Sequence, residues 1–174
     1  SHKAAGVPGT VAGCERAHKL YGDIDWQRVM SPSVMLAEDG FELSEALAGS
    51  PARVVAGQGA AYPATVAQFS RDGIPYEVGE TLRQPELAMT LRRIMLEGRD
   101  GFYRGETARL IAEEMRRGGG LISEADLELY QSHERTTVRG TYRGYEIISM
   151  PPPSSGGVAL VTMLNILEGF DLAN

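Results

Sequence analysis

The chain contains one cysteine and three histidines, the side-chain types that most often serve as nucleophiles and bases. Cys14 lies within a predicted helix among small apolar residues, so we expect a buried thiol with no catalytic role. The histidines, His2, His18 and His133, are far apart, and none lies in a motif that indicates catalysis. We expect His18 to be partly exposed on its helix. A Ser-His-Asp set that assembles only in three dimensions remains an alternative, but the sequence itself predicts no catalytic residue in this chain.

Metal and nucleotide sites are not indicated either. The sequence has no His-Glu-x-x-His, no Cys-x-x-Cys and no acidic Asp-x-Asp loop. Gly6, Gly9 and Gly13 do not match the dinucleotide fingerprint, and a phosphate loop ending in Gly-Lys-Ser/Thr is absent. We therefore expect no metal and no cofactor, and we interpret these glycines as a turn and a close helix contact.

A block of prolines, serines and glycines is the remaining candidate. Three consecutive prolines, Pro151–Pro153, favour an extended backbone. Ser154, Ser155, Gly156 and Gly157 then place small residues at a helix start, where the helix dipole favours anions. The block is either a rigid strand-to-helix corner or an anion pocket. We favour the corner, since Ser154 as a helix cap explains the hydroxyl without a reaction. No substrate-binding residue is assigned.

Composition bounds the classes of partner. The 174 residues fit one domain, and a single cysteine excludes an internal disulfide. The formal net charge of −6 repels phosphate backbones and anionic lipids, so we expect no nucleic acid and no membrane surface as partner. The longest nearly apolar run, residues 158–167, is about half the length needed to cross a bilayer. We therefore expect no membrane insertion by this segment.

Apolar periodicity and capping residues predict a helix-rich chain. The predicted helices run over residues 11–21, 25–39, 44–55, a short stretch after Pro63, 85–98, 106–117, 123–130 and from the Ser-Ser-Gly-Gly block to about Glu168. Thr10 is expected to cap the first of them. Pro32 is expected to kink the second helix or split it in two. Residues 123–126 resemble a capping box.

The pattern changes period near the end of the chain. Residues 136–139 and 145–149 are rich in β-branched and aromatic side chains, and Tyr142-Arg143-Gly144 lies between them, which predicts an antiparallel hairpin. The helix that reaches Glu168 is apolar on nearly every face, which implies burial on all sides. A chain of this length buries such a helix only with difficulty. The fold class is therefore α+β, helix-rich with one antiparallel hairpin, and part of something larger.

Eight blocks of the sequence resemble the γ-glutamyltransferase (γ-glutamyltranspeptidase) family. They are AGVPGTVAG at 5–13, LAEDGF at 36–41, GETLRQPELA at 79–88, FYRG at 102–105, GGLI at 119–122, YRGY at 142–145, MPPPSSGG at 150–157 and LNILE at 164–168. The blocks keep the family's order over almost the whole chain, and only residues 49–77 match loosely. The MPPPSSGG block is the most specific of them.

The resemblance implies an N-terminal-nucleophile hydrolase with an αββα sandwich, made as a precursor that cleaves itself into a large and a small subunit. The threonine that begins the small subunit attacks a γ-glutamyl amide, typically of glutathione, and the γ-glutamyl group passes to water or to an amino acid. All eight blocks belong to the middle of the large subunit. Residues 1–174 are thus expected to be a single fragment of that subunit, inactive alone, whose partner is the small subunit.

Two alternatives to a γ-glutamyltransferase follow from the same residues. In the first, the parent protein is a related amide hydrolase, such as a cephalosporin acylase or a poly-γ-glutamate hydrolase. This segment does not separate these substrates, because contacts outside it set the specificity. Alternatively, the chain is a non-catalytic scaffold derived from the family. The sequence leaves the compartment undetermined, although a protein that follows the bacterial family members would be periplasmic or secreted.

Overall fold

A computed structural model describes residues 2–171, and the chain divides into two compact units, residues 1–132 and 133–174. The predicted helix-rich α+β class is confirmed, but the expectation of a single antiparallel hairpin is wrong, because residues 2–171 contain three two-stranded antiparallel pairs. The helices of the first unit are α1 (Thr10–Tyr21), α2 (Trp26–Asp39), α3 (Glu45–Ala56), α4 (Pro63–Phe69), α5 (Pro85–Glu97), α6 (Asp100–Tyr103), α7 (Gly105–Arg117) and α8 (Glu124–Leu129). Its strands are β1 (Phe41–Glu42), β2 (Ser70–Arg71), β3 (Ile74–Pro75) and β4 (Thr81–Leu82).

Two details of the first helices differ from the prediction. Helix α1 begins at Thr10 itself and its cap position is Gly9, so Thr10 is not the capping residue. Helix α2 runs without interruption through Pro32, so the predicted split is wrong. The proline removes one backbone donor, and packing of the buried side chains Val34 and Ala37 holds the helix together around that gap.

The start of α8 is a capping box, as predicted. The Ser123 hydroxyl accepts the backbone N–H of Asp126 at 3.2 Å, and the Asp126 carboxylate accepts the backbone N–H of Ser123 at 2.8 Å. Each residue satisfies a donor that the helix end would otherwise leave without a partner. The cap places Leu127, which is fully buried, in the core of the unit.

The larger core cluster of the first unit forms around one tyrosine. Its buried members are Ala12, Tyr103, Ala108, Ile122 and Leu127, supplied by α1, α6, α7, the segment before α8, and α8. A smaller cluster of Leu43, Ala48 and Leu82 lies beside the antiparallel pair β1–β4. The larger cluster packs α1 and α6 against each other, which positions the polar contacts described below.

The second unit consists of strands β5 (Val138–Tyr142) and β6 (Tyr145–Ser149) and helix α9 (Gly156–Glu168). The strands pair antiparallel with Tyr142 opposite Tyr145, which confirms the hairpin. Arg143 and Gly144 form its two-residue turn with φ of 48° and 85°, the left-handed backbone that such turns require. Helix α9 packs closely on the hairpin, since a Cβ on Gly140 would lie 2.7 Å from a methyl carbon of Val161.

Helix α9 is not buried on all sides in this chain, in agreement with the expectation that a chain of this length buries such a helix only with difficulty. Of its residues only Gly157 is buried, whereas Met163 and Ile166 are 54% and 60% exposed. The reason is geometric, because a two-stranded hairpin can cover only one side of a helix. Among residues 2–171, no helix combines the length and the apolar character that a membrane crossing needs.

Candidate functional site

The proline-serine-glycine block forms the turn between β6 and α9. Gly157 is buried against the main chain, and a Cβ at this position would lie 2.2 Å from the carbonyl oxygen of Met150. A Cβ on Gly156 would meet nothing nearer than the Ser154 hydroxyl at 3.6 Å. The close approach therefore explains why the second glycine, and not the first, has to lack a side chain.

The two serines of this block differ from the expected cap. The cap position of α9 is Ser155, whose side chain makes no capping hydrogen bond. The Ser154 hydroxyl accepts the backbone N–H of Gly156 at 3.4 Å, a local turn contact. These contacts account for Ser154 and Gly157 without a ligand, but not for Ser155 and Gly156. The assignment of Ser154, Ser155, Gly156 and Gly157 to a structural corner stays a prediction.

The cysteine and the histidines do not form a reactive set among the described residues. Cys14 is exposed, so the expected buried thiol is wrong: α1 turns this position toward solvent and Ala12 toward the core. Nε2 of His18 lies 2.6 Å from the carbonyl oxygen of Ile24, and Nε2 of His2 lies 2.8 Å from a carboxylate oxygen of Glu114. His133 is exposed and precedes β5. The two histidine contacts are thus with a carbonyl and a carboxylate, and not with a nucleophile.

A groove of about 450 Å³ with a partly polar lining lies beside α1 in the first unit. The groove is lined by Ala12, Glu15, Arg16, Lys19, Leu20, Arg99, Gln131 and Ser132. The Glu15 carboxylate accepts the backbone N–H of Arg99 at 3.0 Å and pairs with the Lys19 ammonium at 2.8 Å. Burial raises the pKa of Glu15, but these hydrogen bonds and the charges of Lys19 and Arg99 outweigh it and hold the pKa below its usual range.

Tyr103 connects this groove to the core. Its side chain has no exposed surface, and its hydroxyl donates to the carbonyl oxygen of Pro8 at 2.7 Å and accepts the backbone N–H of Ala12 at 3.2 Å. Its ring stacks on that of Tyr130 with centroids 5.5 Å apart. Burial raises the pKa of Tyr103, which keeps the phenol protonated as a hydrogen-bond donor. The hydroxyl therefore ties the segment that enters α1 to α6.

Arg99 completes the arrangement. The guanidinium lies over the Tyr103 ring at 5.2 Å from its centroid and donates to the carbonyl oxygen of Tyr130 at 2.8 Å. Glu15 and Arg99 were not among the candidate residues; they are 84 positions apart, so no local spacing could predict their contact. The FYRG block marked Tyr103 only through the family resemblance.

The chemistry of this site is structural. Its charged groups bind backbone atoms and one another, and it contains no nucleophile held by a base. Within the described part of the chain, no group of three or more histidine, cysteine, aspartate or glutamate side chains could hold a metal ion.

Comparisons with known proteins match one family over the whole chain. A family model described as gamma-glutamyltranspeptidase matches residues 1–174. The glutathione hydrolase proenzyme of Escherichia coli (strain K12) is 45% identical over 172 residues, which cover 99% of this chain and 30% of that protein. The acylase ACY 1 proenzyme of Pseudomonas sp. (strain SE83) is 40% identical, over 99% of this chain and 31% of that protein.

A solved structure shows the same arrangement of the backbone. The crystal structure of Helicobacter pylori gamma-glutamyltranspeptidase matches 99% of this chain with a TM-score of 0.93 and 40% identity, and the match covers 49% of that structure's chain. Our chain thus spans about 30% of the length of the curated relatives described here. Since the family model matches from the first residue to the last, the chain belongs to the γ-glutamyltranspeptidase family.

Proposed function

We propose that this chain is part of the large subunit of a γ-glutamyltransferase, an enzyme that hydrolyses or transfers the γ-glutamyl group of glutathione or a similar amide. The observation that supports this proposal most directly is the 45% identity to a glutathione hydrolase proenzyme over 99% of the chain. A hydrolysis or transfer of this kind needs a nucleophile, a base and donors for the developing oxyanion. The described residues supply structural contacts instead, so the proposed reaction centre lies on other parts of the parent protein.

The second unit supports the proposed N-terminal-nucleophile sandwich. A two-stranded hairpin is marginally stable by itself, and a sheet face becomes stable when it packs on a further layer. Helix α9 covers one face of β5–β6 through the contact of Gly140 with Val161. In the proposed fold, β5 and β6 join a larger sheet and α9 joins one helical layer of the αββα arrangement.

The exposed apolar side chains support the proposed partner. Tyr145, Ile148, Met163 and Ile166 are each more than half exposed in the second unit. Several large exposed apolar side chains on so small a unit are typical of a protein that is covered by further structure. In the proposed enzyme, the rest of the precursor, including the small subunit that carries the threonine nucleophile, covers these side chains.

The first test compares the chain alone with the full-length protein that carries it. Both are assayed with a chromogenic γ-glutamyl anilide. We expect turnover by the full-length protein after self-cleavage and none by residues 1–174 alone. Turnover by the short chain that Ser154→Ala or Ser155→Ala reduces would place the reaction in the corner and contradict the proposal.

A substrate panel tests the related amide hydrolases. The 40% identity to an acylase proenzyme supports the proposal that groups elsewhere in the protein select the substrate. The full-length protein is assayed with a γ-glutamyl anilide, a cephalosporin and poly-γ-glutamate, and we expect the γ-glutamyl anilide to be preferred. If the chain is a non-catalytic scaffold, the full-length protein is not cut into two subunits. A denaturing gel distinguishes the intact chain from the two subunits.

A further inference from the structure

The segment that joins the two compact units has no regular secondary structure, and most of it is exposed. The structure describes residues 131–137 without a helix, strand or turn, and each of residues 133–137 is exposed. The division between the units falls between Ser132 and His133. Exposed segments without regular structure at the boundary of compact units are the preferred sites of proteolytic nicking.

Both ends of this segment are held, which confines the accessible part to a few residues. The carbonyl oxygen of Ser132 accepts a hydrogen bond from the Arg16 guanidinium at 3.2 Å, and the Ser132 hydroxyl lies 3.4 Å from the carbonyl oxygen of Ala12. On the other side, the β5–β6 ladder begins with Val138 opposite Ser149. Residues 133–137 lie between Ser132 and Val138, and Arg135 is the middle residue of this stretch.

We infer that residues 133–137 form a protease-sensitive junction, which a trypsin-like serine protease cuts first after Arg135. The cut breaks the C–N bond between Arg135 and Thr136. Water supplies a hydroxyl to the new carboxyl group of Arg135 and a proton to the new amino group of Thr136. This site is separate from the self-cleavage proposed above and does not depend on the proposed activity.

The peptide bonds that follow the other arginines of the second unit are poor protease substrates for geometric reasons. Arg143 is exposed, but its backbone N–H donates to the Glu168 carboxylate at 2.7 Å, and its guanidinium donates to the carbonyl oxygen of Phe170 at 3.0 Å. It also lies in a two-residue turn with φ of 48°, whereas a protease binds its substrate as an extended strand. Arg139 lies in the β5–β6 ladder opposite Ile148. Cleavage at either position requires the hairpin to open first.

Limited trypsin digestion of the folded full-length protein tests the junction, with intact-mass analysis to locate the first cut. We expect the first cut between Arg135 and Thr136, its loss in Arg135→Gln and its retention in Arg135→Lys. Arg143→Gln is the matched control, because it removes a neighbouring exposed arginine and should leave the first cut unchanged. Thr136→Pro should block the cut while keeping Arg135. A first cut elsewhere, no cut under native conditions, or an unchanged pattern in Arg135→Gln would overturn the inference.

Discussion

The Glu15 carboxylate accepts the backbone N–H of Arg99 at 3.0 Å and thereby joins α1 to the turn between α5 and α6. Gly98, the residue before Arg99, has φ of 62°, and a Cβ on it would lie 2.1 Å from a carboxylate oxygen of Glu15. The turn is therefore shaped around the carboxylate. This contact holds α1 against the turn between α5 and α6.

Removal of the Glu15 carboxylate should loosen this turn. Glu15→Ala leaves the backbone N–H of Arg99 without its acceptor, which costs about 1–2 kcal/mol. We expect the amide exchange of peptides covering Arg99 to become about five- to twentyfold faster in the full-length protein, measured by mass spectrometry. Lys19→Ala is the control, because Lys19 is 66% exposed and its ion pair contributes little. Equal effects of the two changes would contradict the role of the carboxylate as an acceptor for Arg99.

The Tyr103 hydroxyl should stabilise the entry to α1. Tyr103→Phe keeps the ring and its stacking on Tyr130 but leaves the carbonyl of Pro8 and the N–H of Ala12 without their partner. We expect a loss of about 1–3 kcal/mol and faster amide exchange in residues 6–13. Tyr21→Phe serves as the control, since Tyr21 is 80% exposed. If amide exchange in residues 6–13 is equally fast in the Tyr103→Phe variant and in the unmodified protein, the hydroxyl does not hold this segment.

The two glycines of the corner should respond oppositely to alanine. Gly157→Ala forces a methyl group to within 2.2 Å of the Met150 carbonyl, which costs about 1–3 kcal/mol or more and displaces α9 from the hairpin. Gly156→Ala meets no close atom and places a better helix former in α9, so it should be neutral or stabilising by up to about 1 kcal/mol. Thermal melting of the two full-length variants measures the difference. A reversed order would show that the contact with Met150 does not limit the site.

Acid should weaken the cap of α8. Hydrogen bonds from the Ser123 hydroxyl and the Ser123 backbone N–H hold the pKa of Asp126 below its usual value. Since the folded-state pKa is the lower one, the cap contributes fully above the ordinary value of 3.8, and the contribution is lost as the pH falls through the folded-state value. Acid unfolding of the unmodified and Asp126→Asn proteins should therefore show a stability gap that closes on acidification. A gap that is independent of pH would contradict this linkage.

The sequence by itself determined the features that depend on neighbouring residues. The capping box at Ser123, the helix from Pro85 and the hairpin around Arg143-Gly144 were predictable, because their hydrogen bonds and backbone angles are set within a few positions. The family was also readable from ordered blocks, which the match over residues 1–174 confirms. The absence of an assigned catalytic residue stays a prediction.

The tertiary structure decided what each helix face meets. Cys14 is exposed although the local pattern predicted a buried thiol, because burial depends on which element packs against a helix face. For the same reason α9 keeps an open apolar side within this chain. The contact of Glu15 with Arg99 joins positions 84 residues apart, and the three-dimensional path of the chain creates it. Local rules describe how a segment folds, whereas contacts between distant segments depend on how the whole chain is arranged, and no spacing in the sequence records that arrangement.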